Sequence, residues 1–322
     1  MTANIPTLPQ PLATEINPPN GDPSHSRYHV TMKRSHIFSL VTVFCFLLIG
    51  AGDSGRAQAD DSVIRIASGR KGFTYRAVYA RNLEKLMPGY KFAYLPSEGS
   101  GQNLDLLAMG KADVAFAQAD VFAVKQSQEA ERYRDILPVG RIAPECVYIA
   151  RRAQDPKATL EELAGKATEA YAVIAIGNYD SGMLWSWAYI QSLIVGLDRV
   201  RASTESGTLA LNHLALGSLD AVGWVTDPNN RDHKMLRAVH ANEALELMPL
   251  NNQALTAARS DGSPVYEART VMGGPGGKGP KIQTICTQAV LFTRKGAPEA
   301  LIEKLSDLVS LKRDQIAPSD AR

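Results

Sequence analysis

Two short stretches of this sequence gather hydroxyl, amide and glycine residues where helices should begin: Ser97-Glu98-Gly99-Ser100-Gly101-Gln102-Asn103 and Asp180-Ser181-Gly182-Met183. Backbone N–H groups at a helix start carry the positive end of the peptide dipoles, so they hold a carboxylate without a dedicated cation. Thr74, Gly101 and Ser181 mark three such starts. Arg70 or Lys71 either adds charge at the first of them or is a solvated loop residue, the more common placement for such side chains. The chemistry these residues suit is reversible binding of an anion.

Bond-breaking chemistry needs a nucleophile with its base, paired carboxylates in a cleft or a metal cluster, and none of these has a sequence signature here. "GGPGGKGP" (273–280) imitates a phosphate loop, but Met272 stands at the first glycine of G-x-x-x-x-G-K-[ST] and Gly279 at the Ser/Thr, so it reads as a flexible loop. Gly99-Ser100-Gly101 opens a G-x-G-x-x-G that fails at Leu104. His213, His233 and His240 lack the H-E-x-x-H frame and have no neighbouring cysteine, which makes them solvated or capping histidines and leaves no expected metal or cofactor.

The elements that would carry the binding residues occur twice. "LAMGKADVAFAQAD" (107–120) and "LALGSLDAVGWVTD" (214–227) align without gaps, matching Leu107 to Leu214, Ala108 to Ala215, Gly110 to Gly217, Asp113 to Asp220 and Asp120 to Asp227. Each reads as helix end, glycine turn and short buried strand. Upstream, "VIRIASGRKGFTYRAV" and "AVIAIGNYDSGMLWSW" repeat another order of parts, strand, glycine turn, helix. Gly69 leads Gly110 by nearly the distance that Gly177 leads Gly217, and matched spacing on this scale implies two lobes of like construction. Strands alternating with helices imply a covered, mostly parallel sheet. The pattern predicts helices over about 74–87, through Leu104 and Leu107, from a Thr159/Glu162 capping box, through Trp187, at "NNQALTAARS" and after Pro298. It predicts strands at 91–97, 114–117, 140–152, 200–203, 221–225, "LELMPL" and 282–295.

Before this comes "MKRSHIFSLVTVFCFLLIGAGDSGRAQADD" from Met32, with two cations, an apolar run from Ile37 to Ile49 and an Ala57-Gln58-Ala59 cleavage site. That is a secretory signal, and the run is too short to span a bilayer. Residues 1–31 hold no core pattern, and Met32 is an alternative start. The net charge of the chain is +2, which gives nucleic-acid binding little support. Cys146 and Cys286 remain after cleavage in a chain sent to an oxidising compartment. They form either a disulfide or two separate buried thiols.

"RIASGRKGFTY", "SEGSGQNLDLLAMGKADVAFAQAD" and "GNYDSGM" resemble the TAXI group of TRAP-transporter solute-binding proteins. The likeness spans most of residues 60–322 and is densest at Gly99–Asp120, which is similar to G-S-x-x-N-x-x-x-L-x-x-G-x-A-D-x-A-x-x-Q-x-D. The first loop departs from the family, whose turn is richer in glycine and is followed by two aromatics and a proline; here Arg70-Lys71 precede Gly72, and Phe73-Thr74-Tyr75-Arg76 follow.

The resemblance implies a type II periplasmic-binding fold, with two lobes, each a mixed, mostly parallel sheet flanked by helices, and a hinge between them. Residues 60–142 would begin lobe 1, 143–240 would form lobe 2, and 241–322 would return to complete lobe 1 and end in a helix. In this fold the outgoing and returning strands commonly run side by side, which would bring Cys146 and Cys286 into bridging range. The implied ligand contacts are Gly72, Phe73, Thr74, Tyr75, Ser97, Gly99, Ser100, Asn103, Gln118, Asp180, Ser181, Gly182, Met183 and Trp224. Asn103 either caps its helix or meets the ligand, Gln118 either closes a strand end or meets it, and Trp224 is pocket wall or core. Asp120 and Asp227 cap or orient loops, since a buried carboxylate facing an anion repels it. The implied protein is a monomeric periplasmic receptor that takes a small organic acid or amino-acid-like compound to a TRAP membrane subunit. A sensor feeding a membrane signalling partner is the alternative, and an enzyme on this fold a third reading.

Overall fold

The computed structural model describes residues 63–155, 159–169, 171–230, 232–258, 262, 264–274 and 279–318. The expected extension and signal (1–59) and residues 275–278 of the glycine-rich loop lie outside the described residues.

Lobe 1 begins with β1 (Val63–Ala67), a π-helical turn (Tyr75–Tyr79) running into α1 (Ala80–Leu86), β2 (Lys91–Leu95), α2 (Ser100–Ala108), β3 (Val114–Gln118), α3 (Ala119–Gln128) and the single-turn α4 (Ala130–Tyr133). β4 (Ile136–Arg152) then crosses to lobe 2. There follow α5 (Leu160–Glu169), β5 (Val173–Ala175), α6 (Gly182–Leu193), β6 (Arg201–Ser203), α7 (Gly207–Ala215), β7 (Ala221–Thr226), α8 (Lys234–His240), β8 (Leu245–Leu247) and β9 (Glu267–Met272). β10 (Lys281–Arg294) crosses back, and α9 (Glu299–Ile316) closes the chain against lobe 1.

The strand order is β2-β1-β3-β10-β4-β7-β5-β6, with β8 on β4 and β9 on β10. Within it the same design appears twice. β2-β1-β3 is parallel and meets the antiparallel end of β10; β6-β5-β7 is parallel and meets the antiparallel end of β4. The molecule therefore has the two-lobed α/β architecture of the type II periplasmic-binding fold, with β4 and β10 as the two strands shared by the lobes. Each lobe buries apolar clusters on both sheet faces, as strands covered on both sides must. Leu245, Met248, Leu250, Leu255, Tyr266, Val271 and Ile285 pack in the clusters of lobe 2, so the chain re-enters lobe 1 within β10.

The repeated phrase has a common mechanical role. Gly110 (φ 66°) and Gly217 (φ 83°) take the left-handed turn after α2 and α7. Lys111 N then donates to Leu106 O, and Ser218 N to His213 O, each at 2.9 Å; this is the helix ending that glycine permits. Asp113 next accepts the backbone N–H of Arg65 at 2.9 Å, as Asp220 accepts that of Val173 at 2.8 Å, so each ties down its neighbouring strand, β1 at its middle and β5 at its start. A cation completes both, Arg65 in one lobe and Lys166 in the other. Burial alone would raise the Asp113 carboxyl, but the hydrogen bonds and charge of Arg65 outweigh it and hold the group below its ordinary range.

Cys146 and Cys286 face each other in the β4–β10 register and are joined by a disulfide. Some elements differ from the sequence pattern. The described part of "NNQALTAARS", residues 251–258, holds a single 3-10 turn (Gln253–Thr256) in which Leu255 alone is buried. α3 and α8, which the pattern does not indicate, follow the matched strands β3 and β7.

Candidate functional site

Between the lobes lies a cavity of about 780 Å³. It is bordered by the loops after β1, β2, β3, β5, β6 and β7 and floored by β4. The carboxyl ends of parallel strands surround ligands in open α/β sheets because the helix starts gather there. Here the starts of α2, α6 and α7 line the cavity through Gly99-Ser100, Ser181-Gly182-Met183 and Ser206-Gly207. Ser181 caps its own helix, accepting from Leu184 N at 3.2 Å, whereas Ser206 makes no such side-chain cap.

Of the residues the sequence nominates, Gly72, Phe73, Thr74, Tyr75, Gly99, Ser100, Gln118, Ser181, Gly182, Met183 and Trp224 border this space. Ser97, Asn103 and Asp180 do not. Asn103 is fully buried; its amide donates to Phe116 O at 2.7 Å and its carbonyl accepts from the Ser97 hydroxyl, so the pair ties β2, α2 and β3 together. Asp180 serves through its backbone, whose carbonyl accepts Gly101 N at 3.2 Å. Thr74 precedes a five-residue π-helical turn and not the regular helix start that the spacing implies.

The two lobes touch across the cavity rim. Gly101 packs so closely on lobe 2 that a Cβ there would overlap the Trp185 indole, and the Gly99 Cβ position is 3.0 Å from Ser181 Cα. Arg70 is paired with Glu98, its Nε donating at 3.2 Å, and Asn178 of lobe 2 donates to the same carboxylate at 3.3 Å. The Arg70 hydrogen bond holds Glu98 below its ordinary range. Deeper in the contact, Asp120 of lobe 1 accepts the Ser186 hydroxyl at 2.5 Å and the Tyr266 hydroxyl at 2.7 Å from lobe 2. Gln118 donates to Ser186 at 3.3 Å. Burial raises Asp120 despite these donors. Asp120 thus joins the lobes, while Asp227 shapes its own loop, accepting Asn229 N at 2.8 Å.

The cavity also has residues that the sequence did not single out. Glu145 of β4 is 8% exposed, and the Tyr75 hydroxyl donates to its carboxyl at 2.6 Å. Burial, with the negative Asp227 and Asp120 adding to it, pushes Glu145 up to about 8. Ser68 is fully buried at the wall, and its hydroxyl has no partner among the described residues. His233 is neither solvated nor a side-chain cap. It stacks on Trp224 at 6.4 Å, Trp224 stacks on Tyr148 at 5.7 Å, and burial followed by Lys234 lowers the imidazole to about 4. The signal for His233 is its place just beyond the matched strand β7, where the alignment of the repeats stops.

Among the described residues there is no group of three or more His, Cys, Asp or Glu arranged to hold a metal ion, and no helix long and apolar enough to cross a membrane. A profile of the NMT1-like family matches residues 78–310. No match was found among curated proteins. Among solved structures, the chain is similar to the periplasmic VFT2 domain of Bordetella pertussis BvgS, with 16% identity, 82% of this chain and 94% of that one covered, and a TM-score of 0.46. It is similar also to a TctC solute binding protein from Polaromonas, with 15% identity, 81% and 88% covered and a TM-score of 0.46. XAC2383 from Xanthomonas citri, solved bound to ATP, is 13% identical with 80% and 86% covered and a TM-score of 0.47.

Proposed function

The chain belongs to the NMT1-like family, and on that premise we propose that it is a periplasmic solute-binding receptor of the TAXI type that captures a small organic acid or amino-acid-like compound. The observation that carries this reading is the interlobe cleft, whose walls come from equivalent loops of both lobes and whose rim is bridged by lobe-to-lobe contacts. A ligand touching both walls favours the closed form by its differential affinity, and opening about β4 and β10 releases it. The start of α7, without a side-chain cap, offers N–H groups to a carboxylate. The signal read in residues 32–59 supports export, and delivery to a TRAP membrane subunit completes the role.

The test is mass spectrometry of whatever is released when protein purified from the periplasm is denatured. One small acid or amino-acid-like compound at near-equimolar amount is expected, and it should rebind without being changed. Turnover of the released compound, or its belonging to another chemical class, would overturn the reading.

A further inference from the structure

Glu145 occupies an unusual position for a carboxyl group. It stands on the floor strand β4, beside the disulfide and opposite Thr287 in the β10 register. Its one hydrogen-bond donor among the described residues is the Tyr75 hydroxyl, itself buried. Asp227 and Asp120 also act on it, and both disfavour its charged form. Of the cations that line the same cavity, Arg70 is engaged by Glu98 at the rim, and Lys234 lies on the exposed start of α8. Among the described residues no cation pairs with Glu145, and a buried carboxyl without a counter-charge is costly to ionise, which leaves the place of a cationic partner open to a ligand.

We propose that Glu145, positioned by Tyr75 on the cavity floor, receives a basic nitrogen of the ligand, so that the cargo carries an ammonium or amidinium group and is not a plain mono- or dicarboxylic acid. This rests on the receptor reading above and narrows its ligand class. Ser68, with its unpartnered buried hydroxyl, offers a further hydrogen bond in the same cavity. The Tyr148–Trp224–His233 stack supplies an aromatic wall, and its neutral imidazole does not repel a cation. The ligand's acid group, where it has one, faces the start of α7. Binding then displaces the proton that Glu145 holds near neutral pH: the ammonium N–H donates to the carboxylate, and one proton passes to buffer for each ligand bound. Tyr75, Asp120 and Asp227 are the titratable groups that act on Glu145, and the hydroxyls of Tyr75 and Asp120's partner Tyr266 stay protonated throughout.

The experiment is titration calorimetry on the mature chain, stripped of retained ligand, with pairs that differ only in the amine: L-glutamate and glutarate, L-leucine and 4-methylpentanoate, L-phenylalanine and 3-phenylpropanoate. At least one amino acid is expected to bind about tenfold to 100-fold tighter than its deaminated partner. In two pH 7 buffers of different ionisation enthalpy, that binding should release close to one proton. Glu145→Gln, which keeps an acceptor for Tyr75 and should retain the wild-type circular dichroism, should abolish both the preference and the proton release. A deaminated acid that binds as tightly as its partner, proton uptake on binding, or unchanged affinity in Glu145→Gln overturns the role of Glu145 and leaves the receptor reading standing. Failure of all six probes to bind overturns both.

Discussion

Glu145→Gln also makes a prediction in the absence of any ligand, because a displaced titration is a statement about stability. The carboxyl moves from an ordinary 4.5 to about 8 on folding, burial being the first cause. A raised acid contributes its full stability below the unfolded value and loses it as pH rises through the folded one. Between those values the folded chain holds a proton that the unfolded chain has given up, so stability falls as pH rises. At about 1.4 kcal/mol per pKa unit, the loss is under about 1 kcal/mol at pH 5, about 3 kcal/mol at pH 7 and at most about 5 kcal/mol by pH 8. Glutamine cannot titrate, and its carbonyl still accepts from Tyr75. Urea unfolding of both chains across pH 5 to 8 should therefore show Glu145→Gln gaining on the wild type steadily with pH. Asp120, also raised by burial, is present in both chains and cancels in the difference. Parallel pH profiles would refute the argument, since they would mean that Glu145 is solvated or neutralised in the folded protein.

Gly101→Ala should hold the lobes apart, because its Cβ has no room beside Trp185; small-angle scattering with ligand should give a larger radius of gyration than wild type, and affinity should fall by about 1 to 3 kcal/mol. Asp113→Ala and Asp220→Ala each release a strand N–H and a cation, so each should lower urea stability by about 1 to 3 kcal/mol, and equal treatment of the two lobes predicts similar losses. Replacing both Cys146 and Cys286 by serine should cost about 2 to 4 kcal/mol in the same assay, and thiol titration of the denatured, unreduced mature chain should find none reactive. N-terminal sequencing of the exported protein should begin at Asp60, and retention of Phe44 to Leu48 would sink the processing signal.

What could be read from the sequence is what local chemistry dictates. The Gly110 and Gly217 turns and the Asp113 and Asp220 clamps sit within a few residues of the helices and strands they join, so they leave a repeated phrase. The Thr159/Glu162 box is equally local, and both of its reciprocal hydrogen bonds form, at 3.0 and 3.3 Å. Glu145 leaves no such trace. It is one acid in the run "APECVYIARR", and only the pairing of β4 with β10 and the approach of Tyr75, 70 residues away, bury it. α3 was hidden for a related reason: Asp120 and Lys125 are buried on it along with Val121 and Val124, so its inward face does not look apolar. Lys125 is acceptable there because Asp105 of α2 lies 3.1 Å away. At "NNQALTAARS" the error ran the other way, since helix propensity over several residues was set against a segment with only one side chain to bury.

The glycines of the family-like stretches answer to the contact between lobes before they answer to any ligand. Gly101 gives its N–H to the Asp180 carbonyl of the opposite lobe at 3.2 Å. Gly182 lies against Gln118, which would have to move for any Cβ to fit. Asp180, at φ 63°, is the one non-glycine residue among those described in the left-handed region, a conformation that stores strain and asks for a reason. The reason visible here is that it turns the carbonyl toward Gly101. These small residues let two backbones meet at the rim; on the proposed receptor reading, the polar contacts that distinguish one solute from another would fall to residues set back from it, Glu145 and Tyr75 on the floor and Ser68 and Trp224 on the walls. A stretch such as "GSGQN" therefore marks where the two lobes meet more sharply than it marks what would lie between them.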